Sequence, residues 1–205
     1  AGFSVQNLAL IAGAFSIGIG FGLQNIVSNF VSGLILLIER PIKRGDWIVI
    51  GNTEGFVKNV NIRATEIQTF DRADIIVPNS DLLTNQVTNW MLNDSIGRIK
   101  LMVGVAYGSD SDKVESVLSD ITNQHPDIIT DDPKYPCQIL FWAFGDSSLN
   151  FEIRAFLKDI ATINRVRSEL NFQIDAAFRK HNIEIPFPQR DLHIRSDATR
   201  SNNND

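Results

Sequence analysis

The first 38 residues form one long apolar run that no charged side chain interrupts. Residues 1–38 contain 23 apolar residues, six glycines, nine Ser, Asn or Gln residues, and no Asp, Glu, Lys, Arg or His. An uncharged apolar run of about 18 residues or more is typical of a helix that crosses a membrane. Residues 5–22 alone would form a helix of about 27 Å, close to the roughly 30 Å hydrocarbon thickness of a bilayer. We therefore predict one transmembrane helix within residues 1–40.

Small residues are distributed around this helix in a way that predicts its packing. With about 100° of rotation per residue, Ile17 and Phe21 share one sector with Leu10 and Gln24. Small residues occupy the two flanks of that sector, one formed by Ala9, Gly13, Ser16 and Gly20 and the other by Ala14, Gly18 and Gly22. Because small residues let membrane helices approach closely, a helix with two such flanks fits between two copies of itself in a ring.

Ile17 and Phe21 would face the axis of such a ring as two apolar collars, one helical turn apart. A narrow apolar constriction stops ions by dewetting and needs no charged plug, so these two residues are the candidate pore gate. The same pattern is compatible with ordinary packing in a small-xxx-small helix dimer or in a transporter bundle. The residues by themselves leave these alternatives open.

The pattern changes at Gln24, where polar residues enter the apolar run. Polar residues then recur on one side of the helix, at Asn25, Ser28, Asn29 and Ser32. This second segment is predicted to be an amphipathic helix that lies at the membrane interface or packs on the next domain and ends before Pro41. A bend at Gln24, Asn25 or Gly33 is expected to separate the two segments.

The first charged residues follow this helix at once, and most of them are basic. Glu39 precedes Arg40, Lys43 and Arg44, and the positive-inside rule places the part of the chain that follows in the cytoplasm. The apolar run has no basic residues before it and no small-residue cleavage site at its end, so a signal peptide is not expected. We expect the chain to be the C-terminal part of a longer, multi-pass protein.

Residues 41–97 have the alternating pattern of short strands. Strands are predicted at residues 47–50, 55–60, 62–70 and 75–77, with turns at Gly51-Asn52 and at residues 71–74. The segment Pro78-Asn79-Ser80-Asp81 is expected to stop the last strand and to cap a short helical turn. Strands of this length over about fifty residues indicate a small β-barrel domain.

Residues 98–195 are predicted to fold as an α+β domain of the ferredoxin-like type, in the order β-α-β-β-α-β. Its elements are a strand at 98–107, a helix capped by Ser109 or Asp110, a hairpin of 137–144 and 149–157, a helix at 163–180 and a strand near 192–194. Residues 196–205 form a polar tail that is predicted to be disordered.

A search for catalytic and metal-binding patterns finds no candidate. The chain has no GxxxxGK[ST], HExxH or GxSxG motif and no CxxC pair. His125, His181 and His193 are scattered along the chain and are interpreted as isolated residues, and the single Cys137 as a core residue. No catalytic residue, metal or cofactor is predicted, and the chain is not expected to be an enzyme.

Five stretches of the chain carry a resemblance to a known family. They are GFGLQNIVSNFVSG at 20–33, ERPIKRGDWI at 39–48, IIVPNS at 75–80, VAYGSD at 105–110 and IPFPQRDLHIR at 185–195. In this order they resemble the mechanosensitive channels of small conductance, the MscS family, over nearly the whole chain. The LQN and ERP variants are more similar to the large multi-span members than to the small prototype.

The resemblance implies a homoheptameric channel in a bacterial inner membrane, with membrane lipids, permeating ions and small solutes as its partners. Its last transmembrane helix would line the pore, and the Sm-like β-barrel and ferredoxin-like domains of seven subunits would enclose a cytoplasmic vestibule. Membrane tension would open the channel and release solutes after hypo-osmotic shock. Aligned with the family, the two gate rings fall on Ile17 and Phe21, where the prototype has leucines, and its helix-bending glycine falls on Asn25.

Three other functions are compatible with the sequence. A small molecule or ion in the vestibule could regulate a channel of the same architecture. The β domain could be an RNA-binding module that the span anchors, although the net charge of −5 argues against binding to nucleic acid. An enzyme in the ferredoxin-like domain is the third alternative, because that fold supports many chemistries.

Overall fold

The computed structural model describes residues 5–190, with side chains from residue 9 onward, and divides into two compact units between Ile96 and Gly97. The first unit contains α1 (Val5–Glu39), β1 (Trp47–Ile50), β2 (Thr53–Val60), β3 (Ala64–Gln68), β4 (Asp74–Pro78), α2 (Asn79–Thr84) and β5 (Val87–Asn89). The second contains β6 (Gly97–Val105), α3 (Ser111–Gln124), β7 (Gln138–Phe144), β8 (Leu149–Leu157), a 3₁₀ turn (Ile160–Thr162) and α4 (Ile163–His181).

The two predicted segments of the apolar run form one continuous α-helix of 35 residues. The helix α1 passes through Gln24, Asn25 and Gly33 as regular α-helix, so the expected separation into two helices at these positions is not present in this conformation. The physical reason is that polar side chains interrupt hydropathy but not backbone hydrogen bonding. The side chain of Asn29 even donates to the backbone carbonyl of Asn25 one turn earlier, at 2.8 Å.

Burial divides α1 into two parts. Residues Ala9–Glu39 are long and apolar enough to cross a membrane. Large apolar side chains of the first part, such as Phe15, are exposed, whereas Ser32, Gly33 and Leu36 are buried. The last turns of α1 therefore pack on the rest of the first unit, while the preceding turns extend away from it.

The first unit contains a five-stranded antiparallel sheet with the order β4-β3-β2-β1-β5. We call these strands together with α2 the β domain. Its core combines side chains from the sheet, α2, α1 and the loop between α1 and β1, namely Leu36, Ile42, Ile48, Ile50, Val57, Ile67, Val77 and Leu82. Leu36 is 1% exposed, so the last turns of α1 contribute a side chain to the core of the β domain.

Two predicted features of the β domain need correction. The strand predicted at 62–70 is only Ala64–Gln68, because residues on both sides form turns. Asn61 donates its N–H to the carbonyl of Ala64, and Arg72 donates to the carbonyl of Thr69. The strand β5 was not predicted, since three residues are too few to show an alternating pattern.

The second unit contains a three-stranded antiparallel sheet with the order β6-β8-β7 and the helices α3 and α4. The predicted sequence of elements is confirmed up to α4, and Asp110 caps α3 by accepting from the N–H groups of Asp112 and Lys113. The strand predicted near 192–194 and the tail predicted at 196–205 lie outside the described residues. Cys137 is not part of the core but half-buried at its edge, where burial raises the pKa of the thiol.

Candidate functional site

The two predicted gate residues project from the exposed part of α1. Ile17 is 62% exposed and Phe21 is 74% exposed, and they lie one helical turn apart. Apolar side chains continue around the helix at Leu10, Phe15 and Ile19, which are each more than half exposed. A contiguous apolar surface of this kind is typical of a segment that lipid or another protein surface covers.

The glycines on the flanks of α1 face open space. A Cβ atom built on Gly13, Gly18, Gly20 or Gly22 would meet no other atom within 4 Å. The predicted packing residues Ala9 and Ala14 are likewise on the exposed part of the helix, and a shallow groove beside Phe15 includes Ala14 and Gly18. No contact within the described residues therefore requires these small side chains, and their role in packing between subunits stays a prediction.

Gly33 differs from those glycines because the β domain lies directly against it. A Cβ atom at this position would collide with the carbonyl oxygen of Ile62 and would come within 2.6 Å of Nδ2 of Asn79. Only glycine permits this close approach of the helix backbone to the β2–β3 turn. The structure thus gives Gly33 a packing role, while its predicted role as a hinge during gating stays untested.

The side chain of Asn79 holds together the part of the β domain that packs against α1. Its side chain is fully buried, and Nδ2 donates to the carbonyls of Asn61 at 2.8 Å and of Ile62 at 3.0 Å. Its Oδ1 accepts from the hydroxyl of Thr65 at 2.9 Å. Because every polar atom of this buried amide has a partner, the network holds the β2–β3 turn and the start of α2 in one arrangement.

A second polar contact joins α1 to α2 directly. Asn29 Oδ1 accepts hydrogen bonds from the backbone N–H of Ser80 at 3.0 Å and from its hydroxyl at 3.1 Å. This contact is not among the predicted features, since the sequence predicts only a polar helix face at Asn29 and a helix cap around Ser80. The available signal was the pairing of a polar stripe on an otherwise apolar helix with short polar residues directly after a strand.

The predicted basic residues lie together where α1 ends. Arg40, Lys43 and Arg44 are all exposed, and Arg40 adopts a left-handed backbone conformation with φ of 53°. The loop that carries them is held by Asp46, whose Oδ2 accepts from the N–H of Lys43 at 2.9 Å and from Nδ2 of Asn89 at 2.7 Å. The three cations are therefore presented on a fixed backbone at one end of the apolar helix.

One group of side chains has the composition of a metal site. His125, Asp127 and Glu169 place one potential ligand atom each within 4.8 Å of one another. The ring of His125 is already engaged, because Nδ1 accepts from the N–H of Asp127 and Nε2 lies 3.0 Å from Glu169. Arg165 bridges the two carboxylates at 2.9 and 3.0 Å. We therefore interpret the group as a network that ties α3 to α4.

Two family profiles match this chain. Residues 25–92 match the family described as Mechanosensitive ion channel, beta-domain, and residues 99–185 match Mechanosensitive ion channel MscS, C-terminal. The structure of Helicobacter pylori MscS in its closed state is similar, with a TM-score of 0.85 and 32% identity over 96% of this chain and 76% of that one. The chain belongs to the MscS family of mechanosensitive ion channels, as its sequence predicts.

Relatives of this chain include much longer proteins. An uncharacterized MscS family protein of Haemophilus influenzae is 41% identical over 97% of this chain, which spans 18% of that protein. The mechanosensitive channel MscK of Escherichia coli is 41% identical over 96% of this chain, which spans 17% of MscK. The predicted similarity to the large members agrees with these lengths. Proteins of this family are homo-oligomeric membrane channels and not enzymes.

Proposed function

We propose that this chain forms the pore and the cytoplasmic part of a channel that membrane tension opens. In this proposal seven copies surround the pore in a bacterial inner membrane, with the β domain and the second unit in the cytoplasm. Ions and small solutes pass after hypo-osmotic shock, and lipids surround the helices. Family membership supports this proposal, and so does the apolar part of α1, which is long enough to span a membrane.

The observation that carries the proposal is the contrast between the two ends of α1. The membrane-side turns have open glycine flanks and exposed apolar side chains, whereas the last turns are fixed to the β domain at Asn29, Gly33 and Leu36. In such a helix the first turns can pack against neighbouring copies, while the β domain holds the last turns in position. Tension favours a state of larger area in the membrane plane, and such a state requires these helices to separate or tilt.

Ile17 and Phe21 form the gate in this proposal. In a ring of α1 helices, the sector that contains these two residues lies between the small flanks and therefore faces the axis. Two apolar collars one turn apart exclude water when the ring is narrow, and without water ions do not pass. Widening the ring hydrates the constriction and allows conduction.

Exchange of Phe21 for serine tests this assignment in the full-length parent protein. Phe21→Ser makes the collar polar, so the channel is expected to open at lower tension and cells are expected to grow poorly without osmotic stress. Phe15→Ser is the matched control, because Phe15 is similarly exposed but lies about 120° away around the helix. The threshold is measured in excised patches. An unchanged threshold in Phe21→Ser, or an equal change in both variants, would contradict the gate.

A further inference from the structure

The helices α3 and α4 cover one face of the three-stranded sheet of the second unit. Ile99 of β6 and Ile153 of β8 are buried in one core with side chains of both helices. Because successive side chains along a strand point to opposite faces of a sheet, the residues that alternate with these lie on the other face. We call that face the outer face; it carries Arg98, Lys100 and Met102 of β6, Leu140 and Trp142 of β7, and Glu152, Arg154 and Phe156 of β8.

The outer face carries an excess of positive charge. Lys100 stands directly opposite Arg154 in the register of β6 and β8, and like charges in such a cross-strand pair repel each other. Arg154 is paired with Glu152. Among residues 9–190, the ion pairs with N···O distances up to 4.0 Å include neither Arg98 nor Lys100, and both are exposed. An anion beside Lys100 would therefore be stabilised.

An exposed aromatic ring lies next to these cations. Trp142 is 54% exposed, and the guanidinium of Arg154 lies over its ring at 4.9 Å from the centroid. Trp142 follows Phe141 at the point where the register of β7 with β8 shifts, and irregularities of this kind re-aim a side chain. The indole is thereby placed on the outer face, where it offers a stacking surface to another planar ring.

The arginine between Lys100 and Trp142 is held in place by a buried carboxylate. Glu152 is 7% exposed and accepts a hydrogen bond from Nε of Arg154. Lys100, Arg154 and Trp142 thus follow one another across the three strands, since β8 lies between β6 and β7. Neighbouring strands are about 4.8 Å apart, so the distance across the sheet is comparable with the length of a nucleotide.

We propose that the outer face binds a free nucleotide, with its base stacked on Trp142 and its phosphates beside Lys100 and Arg98. A nucleotide uses both features of this face, whereas an inorganic anion uses only the cations and an uncharged ring uses only the indole. The net charge of −5 disfavours a long polyanion but leaves this local positive charge in place. The site lies in the second unit and requires neither the gate nor tension, so it extends beyond the proposed function.

Binding is tested by calorimetric titration of the full-length parent protein in detergent with adenosine triphosphate (ATP). Adenosine, which lacks the phosphates, and tripolyphosphate, which lacks the base, are titrated in parallel. We expect ATP to bind at least about tenfold more tightly than either, because stacking and charge act together, and its affinity to fall as salt is added. Equal affinity for adenosine or for tripolyphosphate would overturn the nucleotide as the ligand.

Other occupants of this face give different results in the same titration. Tighter binding of a single-stranded oligoadenylate than of ATP would overturn the free nucleotide in favour of nucleic acid. Absence of ATP binding to the assembled oligomer would overturn the site, and it is the result expected if a neighbouring subunit covers the outer face. Because no tension is applied, failure of this site and failure of the proposed function are distinguishable.

Two pairs of variants locate the site. Trp142→Leu removes the stacking ring but keeps an apolar side chain, and ATP affinity is expected to fall about tenfold. Phe144→Leu is its control, because Phe144 is also exposed on β7 but pairs with Leu149 on the face that the helices cover.

Lys100→Gln is expected to lower ATP affinity without loss of stability, because it removes the repulsion from Arg154. Lys180→Gln is the matched control, since Lys180 is an exposed lysine at the end of α4. Unfolding temperatures show that each variant is folded. An affinity unchanged in Trp142→Leu or in Lys100→Gln, or an equal loss in the corresponding control, would overturn the proposal.

Discussion

Asn29 on α1 and Ser80 at the start of α2 are 51 residues apart in the chain and are joined by two hydrogen bonds. One turn further along α1, Gly33 packs against the carbonyl of Ile62, and Leu36 is buried in the core of the β domain. The helix is thus attached at three successive turns. Separation of this part of α1 from α2 would break the contact between Asn29 and Ser80.

Removal of the Asn29 side chain is expected to weaken this attachment. In Asn29→Ala the N–H of half-buried Ser80 loses its acceptor and the Ser80 hydroxyl keeps only Asp81 Oδ1, which costs about 1–2 kcal/mol of stability. The measurement is thermal unfolding of the purified protein in detergent. Asn25→Ala is the control, because the Asn25 side chain is exposed and its contact with Asn29 uses only the backbone carbonyl. An equal shift of the unfolding temperature in both variants would speak against the attachment.

Gly33 and Gly20 are expected to respond to alanine in opposite ways. Gly33→Ala forces α1 away from the carbonyl of Ile62, which is expected to destabilise the first unit by about 1–3 kcal/mol. Gly20→Ala meets open space within the chain and gains up to about 1 kcal/mol of helix propensity.

Oligomer assembly separates the two glycines further. In the proposed ring, the space beside Gly20 belongs to a neighbouring helix, so Gly20→Ala is expected to reduce the yield of assembled oligomer without loss of subunit stability. Unfolding temperature and native mass spectrometry in detergent report the two effects. A Gly33→Ala protein as stable as wild type would refute the packing role of this glycine.

The bridge made by Arg165 predicts a dependence of stability on pH. A hydrogen bond from Arg165 is the main reason that the pKa of Glu169 lies below its ordinary value, and a hydrogen bond from His125 lowers it further. An unfolded glutamate titrates at about 4.3. A carboxyl whose pKa is lowered by folding stabilises the fold above that pH, and this contribution disappears as the pH falls through the lower, folded value.

The unfolding temperature is therefore expected to fall between about pH 5 and pH 3, and part of this fall is expected to be absent in Arg165→Gln. The effect is small, because these side chains are partly exposed. Arg179→Gln is the control, since Arg179 pairs with Asp175 within α4 and not with Glu169. The same pH dependence in Arg165→Gln and wild type would exclude the bridge as its source.

Most elements of both units could be predicted from local patterns. Alternation of apolar residues located β6 and β8, and the helical period located α3 and α4, because one buried face determines each pattern. The strand β5 was not predicted, because three residues are too few to show an alternating pattern. At Gln24 the change in hydropathy was interpreted as a bend, but the helix is held by backbone hydrogen bonds that polar side chains leave intact.

The site was only partly predictable for a different reason. From the sequence, Gly33 was predicted to be a hinge, because glycine destabilises a helix. The carbonyl of Ile62 that packs against Gly33 is distant in the chain and is seen only in the structure. Asn29 and Ser80 are 51 residues apart, and the polar patterns of the two segments do not show which of their residues meet. The gate at Ile17 and Phe21 depends on neighbouring subunits, so it stays a prediction from the helical pattern and the family resemblance.

Opening by membrane tension is tested most directly by recording from excised membrane patches that contain the full-length parent protein, in a host without tension-gated channels of its own. Suction is increased as a ramp until the patch ruptures. If membrane tension opens the channel, stepwise conductance begins at a reproducible tension. Silence up to rupture, from protein shown to be present in the membrane as an assembled oligomer, would contradict it.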